Sequence, residues 1–327
     1  MTTRREALAM MGAAAAAGGF SRAALAQDAY PNHPISMLVP FPPGGVADTV
    51  GRPVAEAMGR FLKQSIVVEN KGGAGGGIGI AQVAKAKPDG YSTLMALSSI
   101  VVLPEADKVL ARAPMYQLNQ FKPIARFTAD PTVLVVRADS PWKSFQEFIA
   151  HARQNPGQLT FGSSGNYGTM HVPMEQLKIA TKTFMVHVPY TGAGPAILAL
   201  LSGQVDALST GPASVAQHIK SGKVRALAHW GEGRLAALPD VPSLTELGVP
   251  VTYSQWSGLF VPAGTPAPVV EQLRQAARET VNDPRAKQAM VSAGTSFLYQ
   301  DTPEFERFVQ ADAKAMAEVV KAIGKVN

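Results

Sequence analysis

The order of apolar and amphipathic stretches in this 327-residue chain predicts an α/β protein made of two similar lobes around a shared cleft. Three observations carry that prediction. Short apolar or β-branched runs alternate with stretches of helical period. Two of those runs, near Phe41 and near Gly162, feed glycine loops that open helices. The chain is expected to cross between lobes at 130–139 and to return at 247–255, so that one lobe carries both ends.

Each element follows from its local pattern. Ile35–Val39 reads as a first strand, stopped by the prolines and glycines of 40–45, and helical period runs over 46–61. Ser65–Glu69 is a second strand, followed by a glycine loop and a helix over about 78–87. Tyr91–Ala96 is a third strand. The stretch 99–120 has no clean period, because Pro104, Pro114 and several charges interrupt it. Asp130–Val136 is expected as one β-branched strand. Ser140-Pro141-Trp142 looks like a cap with proline near the start of a helix reaching Gln154. Leu159–Gly162 is a strand entering the second glycine turn, with helices over about 170–180 and 195–202. Ala207–Thr210 and Arg225–Ala228 are short strands, and 239–250 is a proline-punctuated connection. Gly258–Pro262 is a last strand. Three helices close the chain, over about 267–282, 284–293 and 303–322. No period of about 20–50 residues repeats, which excludes a solenoid.

The first 26 residues read as an export signal. Arg4-Arg5 forms a charged start, Met10–Gly19 a short apolar run, and Ala24-Leu25-Ala26 a small-x-small cleavage site before Gln27. The paired arginines suggest the twin-arginine type. The apolar run is too short to span ~30 Å of hydrocarbon. Cysteine is absent, which removes disulfides, thiolate chemistry and a lipid-attachment site together. A soluble, unlipidated periplasmic protein is expected. Without the leader's three arginines and one glutamate, 27 basic residues stand against 23 acidic ones, a net +4. That mild, dispersed charge argues against nucleic acid and suits an anionic small molecule.

Two loops can carry chemistry. In Phe41-Pro42-Pro43-Gly44-Gly45-Val46-Ala47-Asp48 the glycines free backbone N–H groups to face a ligand, and the next helix adds its positive end. Asp48 either complements the helix dipole or reaches a polar group of the ligand. In Ser163-Ser164-Gly165-Asn166-Tyr167-Gly168-Thr169-Met170-His171, hydroxyls and glycines precede another helix; it is an anion cradle or an ordinary capped loop. His171 suggests a general base, although a lone histidine there more often makes a structural hydrogen bond. The glycine run 72–77 imitates a dinucleotide turn, but it follows the second strand and lacks a well-placed ribose acid. The six histidines show no metal-ligand spacing, and Gly162-Ser163-Ser164-Gly165 misses the nucleophile-elbow pattern by one residue. No catalytic residue, metal or cofactor is expected. Trp256 either lines the cleft or packs the hinge.

Five segments in this order resemble the Bug family, the extracytoplasmic receptors of tripartite tricarboxylate transporters. They are Val39–Asp48, Val188–Gly192, Gly203–Asp206, Leu238–Ser243 with Glu246–Gly248, and Gly258–Pro266. The resemblance covers nearly the whole mature chain. It implies a type II-like periplasmic binding protein, a Venus flytrap with the ligand in the interlobe cleft. The implied division is signal peptide 1–26, first lobe 27–130 with 251–327, and second lobe 131–250. It also implies a small carboxylate ligand held by backbone amides and waters, a membrane transporter as partner, and a monomer. The implied contacts are Phe41, Pro42, Gly44, Gly45, Val46, Ala47, Asp48, Ser98, Ser163, Ser164, Gly165, Tyr167, Gly168, Thr169, His171, Thr191 and Asp206. The sequence departs from the family at Asn166-Tyr167 and in 115–121, which lacks the usual acidic residues. Tyr167 in the cleft would favour an aromatic or flat ligand. Dicarboxylate, tricarboxylate, amino acid and aromatic acid all stay open. Competing classes are an exported hydrolase using Ser163 or Ser164 with His171, which needs a base held by a third group, and a ligand sensor for a membrane signalling system.

Overall fold

Two sheets, each flanked by helices, make up the protein. The structure, a computed structural model, describes residues 30–235 and 237–326. The expected leader lies outside the described residues. Both sheets belong to the unit that begins at Pro34.

In chain order, β1 (Ile35–Val39) leads into α1 (Val46–Leu62), then β2 (Ile66–Asn70), α2 (Gly77–Ala84), β3 (Ser92–Leu97), α3 (Ser99–Val109) and β4 (Phe121–Pro131). The second sheet takes β5 (Val133–Arg137), α4 (Phe145–Gln154), β6 (Thr160–Ser163), α5 (Val172–Thr181), β7 (Val186–Pro189), α6 (Ala193–Leu201), β8 (Ala207–Thr210), α7 (Pro212–Lys220) and β9 (Val224–His229). The chain then returns through β10 (Ser254–Pro262), α8 (Ala267–Thr280), α9 (Pro284–Ser292), β11 (Gln300–Asp301) and α10 (Thr302–Ile323). The first sheet has the order β11-β4-β10-β3-β1-β2 and the second β7-β6-β8-β5-β9. Strands β1, β2 and β3 are parallel, as are β6, β7 and β8; β10 and β5 run antiparallel to their neighbours. Parallel strands joined through helices aim their C-terminal ends, and the following helix N-termini, at one edge of each sheet.

Four local readings need correction. The strand expected over 130–136 is two strands in different sheets, broken at Thr132. There the chain crosses, and Thr132 accepts a bond from the returning Trp230 N at 3.0 Å. The patternless stretch 99–120 contains α3, hidden because both of its faces are largely buried. Pro104 inside α3 has no N–H for the carbonyl of Ile100, and the Tyr116 hydroxyl donates to that carbonyl instead, at 2.9 Å. Ser144, not Ser140, caps α4 by accepting from Glu147 N. Helix α7 also escaped the sequence reading; it starts at Pro212, a favoured first position.

Helix α10 ties the halves together. It packs on α3 and α5, and Asp312 on it accepts a bond from Trp256 Nε1 at 2.7 Å. Trp256 is fully buried against Phe305 and Phe308, so it is a packing residue. Among the described residues no helix is long and apolar enough to cross a membrane.

Candidate functional site

The loop between β1 and α1 is built to leave donors unmet. Gly45 is the N-cap, in extended conformation, and offers no capping side chain. Val46, Ala47 and Asp48 begin the helix and are all buried. Asp48 N and Thr49 N both turn back to the Gly45 carbonyl, at 3.1 and 2.9 Å. The N–H groups of Val46 and Ala47 have no partner among the described residues, as helix geometry requires without a cap. Buried donors at a helix N-terminus make an anion site that needs no cation.

Asp48 holds this loop in place through its carboxylate. Its carboxylate accepts from Gly44 N at 3.1 Å, Arg52 at 2.7 Å and Asn70 Nδ2 at 2.9 Å. Asn70 also donates to the Phe41 carbonyl at 3.0 Å, so β2 pins the loop from the side. Burial pulls the Asp48 carboxyl upward, but the bonds from Arg52, Asn70 and Gly44 outweigh it and keep the group below its ordinary range. Gly44 sits at φ +84°, a conformation that favours glycine.

The second loop spends several of its donors on itself. Gly165 N donates to Ser163 Oγ at 3.0 Å, Tyr167 N to His171 Nδ1 at 2.9 Å, and Val172 N to the Gly168 carbonyl at 3.1 Å. Pro173, next in α5, has no N–H to offer. Ser163 and His171 are fully buried. Ser163 Oγ lies 2.6 Å from His187 Nε2, so its histidine is His187 on β7, not His171. The rings of His171 and His187 lie 4.0 Å apart beside Phe161, and His171 Nε2 lies 3.3 Å from Glu175. Burial, then the adjacent His171, pushes His187 down to about 3. Burial raises Glu175, but His171 and Lys178 overcome it and leave the carboxyl low.

The halves meet between these loops. Gly165, at φ +116°, brings the second loop so close to the run 74–76 that a side chain there would strike Gly75 N. That glycine run, a dinucleotide turn by pattern, is a surface for this backbone approach. Pro42 packs against Gly192, the N-cap of α6, and Gly45 faces Ala193. Gln255 of β10 donates from Nε2 to Thr169 Oγ1 across the sheets at 2.6 Å. Ser164 Oγ is buried nearby in the second loop without a partner among the described residues.

Three of the expected contacts have partners within the protein. Tyr167 turns toward the C-terminal segment: its hydroxyl donates to the Gly324 carbonyl at 2.6 Å and accepts from Val326 N. It is 1% exposed. Asp206 lies at the opposite end of β6 from Ser163, accepting from Thr160 N and Oγ1 at 2.8 and 2.9 Å. It closes the start of two strands. Ser98 bonds Tyr253 OH at 3.2 Å and so faces the returning chain. Thr191 is exposed at the rim. The residues that sequence reading missed are Gln255, Asn70 and His187. Only Asn70 left a signal, as the polar end of a strand beside a glycine loop.

The sequence model of the tripartite tricarboxylate transporter family receptors matches residues 50–325. The periplasmic binding protein BugD is 33% identical, with a TM-score of 0.86 over 90% of this chain and 99% of that one. MatC (Rpa3494) from Rhodopseudomonas palustris, solved with bound malate, is 29% identical, with a TM-score of 0.82 over 89% and 100%. R. palustris Rpa4515, solved with adipate, is 26% identical, with a TM-score of 0.84 over 90% and 98%.

Proposed function

This chain belongs to the tripartite tricarboxylate transporter receptor family, as a Bug-type solute-binding receptor, and from that premise we propose that it captures a small carboxylate between its two halves and delivers it to a membrane transporter. The observation that carries the reading is the buried, uncapped N-terminus of α1, with the Val46 and Ala47 N–H groups unmet. A carboxylate oxygen satisfies such donors, and no cationic side chain is needed. Moderate affinity of this kind suits a receptor that must also release its cargo. The malate and adipate held by two relatives support the same ligand class.

In this reading Phe41, Pro42, Gly44, Gly45, Val46 and Ala47 form one wall, and Ser164, Gly165, Gly168 and Thr169 the other. The first lobe is 27–130 with 251–327, the second is 131–250, and residues 1–26 direct export to the periplasm, where the protein acts as a monomer. Lobe closure excludes water and strengthens the bonds to the carboxylate.

A thermal-shift screen of the purified mature protein over mono-, di- and tricarboxylates tests this. A ligand at a hundred times its Kd should add about 2.7 kcal/mol of stability. If no carboxylate raises Tm, the reading fails.

A further inference from the structure

The side chain of Gln255 narrows the ligand class further, on the premise that a carboxylate binds at α1. Gln255 is 2% exposed. With Nε2 committed to Thr169, its Oε1 is left without a partner among the described residues. A β-carbon built on Gly211 would lie 2.5 Å from that Oε1 and 2.7 Å from Val46 Cγ2. The orphan oxygen therefore lies against Gly211, the N-cap of α7, which also lacks a capping side chain, with the Val46 side chain at the start of α1 close by. Any side chain at position 211 would collide with this oxygen and with Val46.

Two helix N-termini here attract an anion, while a lone acceptor among them asks for a donor. A buried acceptor left unmet is costly, so the occupant should supply both a carboxylate and a hydrogen-bond donor beside it. An ammonium is a poor donor in this place. The positive helix ends oppose it, and the neighbouring carboxylate, Asp48, is already committed to Gly44, Arg52 and Asn70. A hydroxyl meets the demand without charge.

We propose that Gln255 is a specificity-determining residue that selects a small hydroxycarboxylate over the unsubstituted, oxo- and amino-acid of the same skeleton. Its Nε2 bond to Thr169 fixes the amide so that Oε1 faces the ligand.

Calorimetric titration with two matched sets tests this: succinate, malate, oxaloacetate and aspartate, and adipate with its 2-hydroxy, 2-oxo and 2-amino derivatives. The hydroxy acid of the better-bound set should be preferred about tenfold over the unsubstituted acid, the worth of one buried hydrogen bond. Gln255→Met should erase that preference while the unsubstituted acid keeps its affinity within about threefold to tenfold. Thr169→Val, which releases the amide that Thr169 holds, should weaken all four acids and shrink the preference for the hydroxy acid. Equal affinity for hydroxy and unsubstituted acids, meaning that water alone fills the position, overturns the proposal. A preference for the oxo acid or the amino acid overturns it too. If no carboxylate binds the unaltered protein, the carboxylate reading itself has failed.

Discussion

The two strand–loop–helix junctions that face each other across the sheets share a design and differ in how their donors are used. At the first, 41–48, the helix N-terminus is buried and uncapped, and side chains stabilise the loop from behind through Asp48, Asn70 and Arg52. At the second, 163–171, Ser163, His171 and the Gly165 and Gly168 carbonyls take up the N–H groups of Gly165, Tyr167, Gly168 and His171, and Pro173 removes one more. A helix N-terminus is thus a binding site only where nothing in the protein has already met it. In the proposed reading the first junction receives the carboxylate and the second, more fully bonded within itself, is the rigid wall.

The sharpest way to separate them is acid. His187, which holds Ser163 in the second junction, titrates near 3 when folded and near 6.5 as a free side chain. Between those values the unfolded chain takes up a proton that the folded chain refuses. The contribution of His187 is therefore full above about pH 6.5 and is lost as pH falls toward 3, at up to about 1.4 kcal/mol per pH unit. Denaturant melts from pH 7 to 4 should show a steeper decline for the unaltered protein than for His187→Gln, which keeps an acceptor for Ser163. Parallel declines would mean that the second junction is not held by a neutral ring.

Next in size is a test of the first junction. Val46→Pro removes one donor at a position where proline is tolerated, and the extended Gly45 suits a following proline. Losing one charge-assisted bond should cost about 1.5–3 kcal/mol of binding, roughly tenfold to a hundredfold in Kd. The unliganded Tm should stay close to that of the parent. Undiminished carboxylate affinity in this variant would move the anion away from α1 and erase the contrast between the junctions.

How much of this was legible in the sequence follows from distance along the chain. The Pro-Pro-Gly-Gly stop and the helix after it are local, so the first junction could be read directly, as could most strands. Asp48 could not be assigned, because its decisive partner Asn70 stands 22 residues away on another strand. Gln255 gave no sign at all: Thr169 is 86 residues off, and Gly211 comes from the other sheet. Helix α3 was hidden because burial on most sides removes the period, and because a hydroxyl from Tyr116 repairs what Pro104 breaks. Sequence patterns report which groups a segment offers. Whether those groups are already satisfied depends on partners that only the fold supplies.

The smallest expected effect comes from Tyr167, and it tests the wall. Its ring stands edge-on to His171, and its hydroxyl bridges Gly324 and Val326 beyond α10. Tyr167→Phe keeps the packing and removes only that bridge, so stability should fall by about 1 kcal/mol, the usual net worth of such a bond. The order of affinities across a carboxylate panel should not move, because the group removed points away from the meeting loops. A changed ligand order would mean that the second junction reads the ligand through this tyrosine. The rigid wall would then share in recognition, and the division of labour between the two junctions would have to be redrawn.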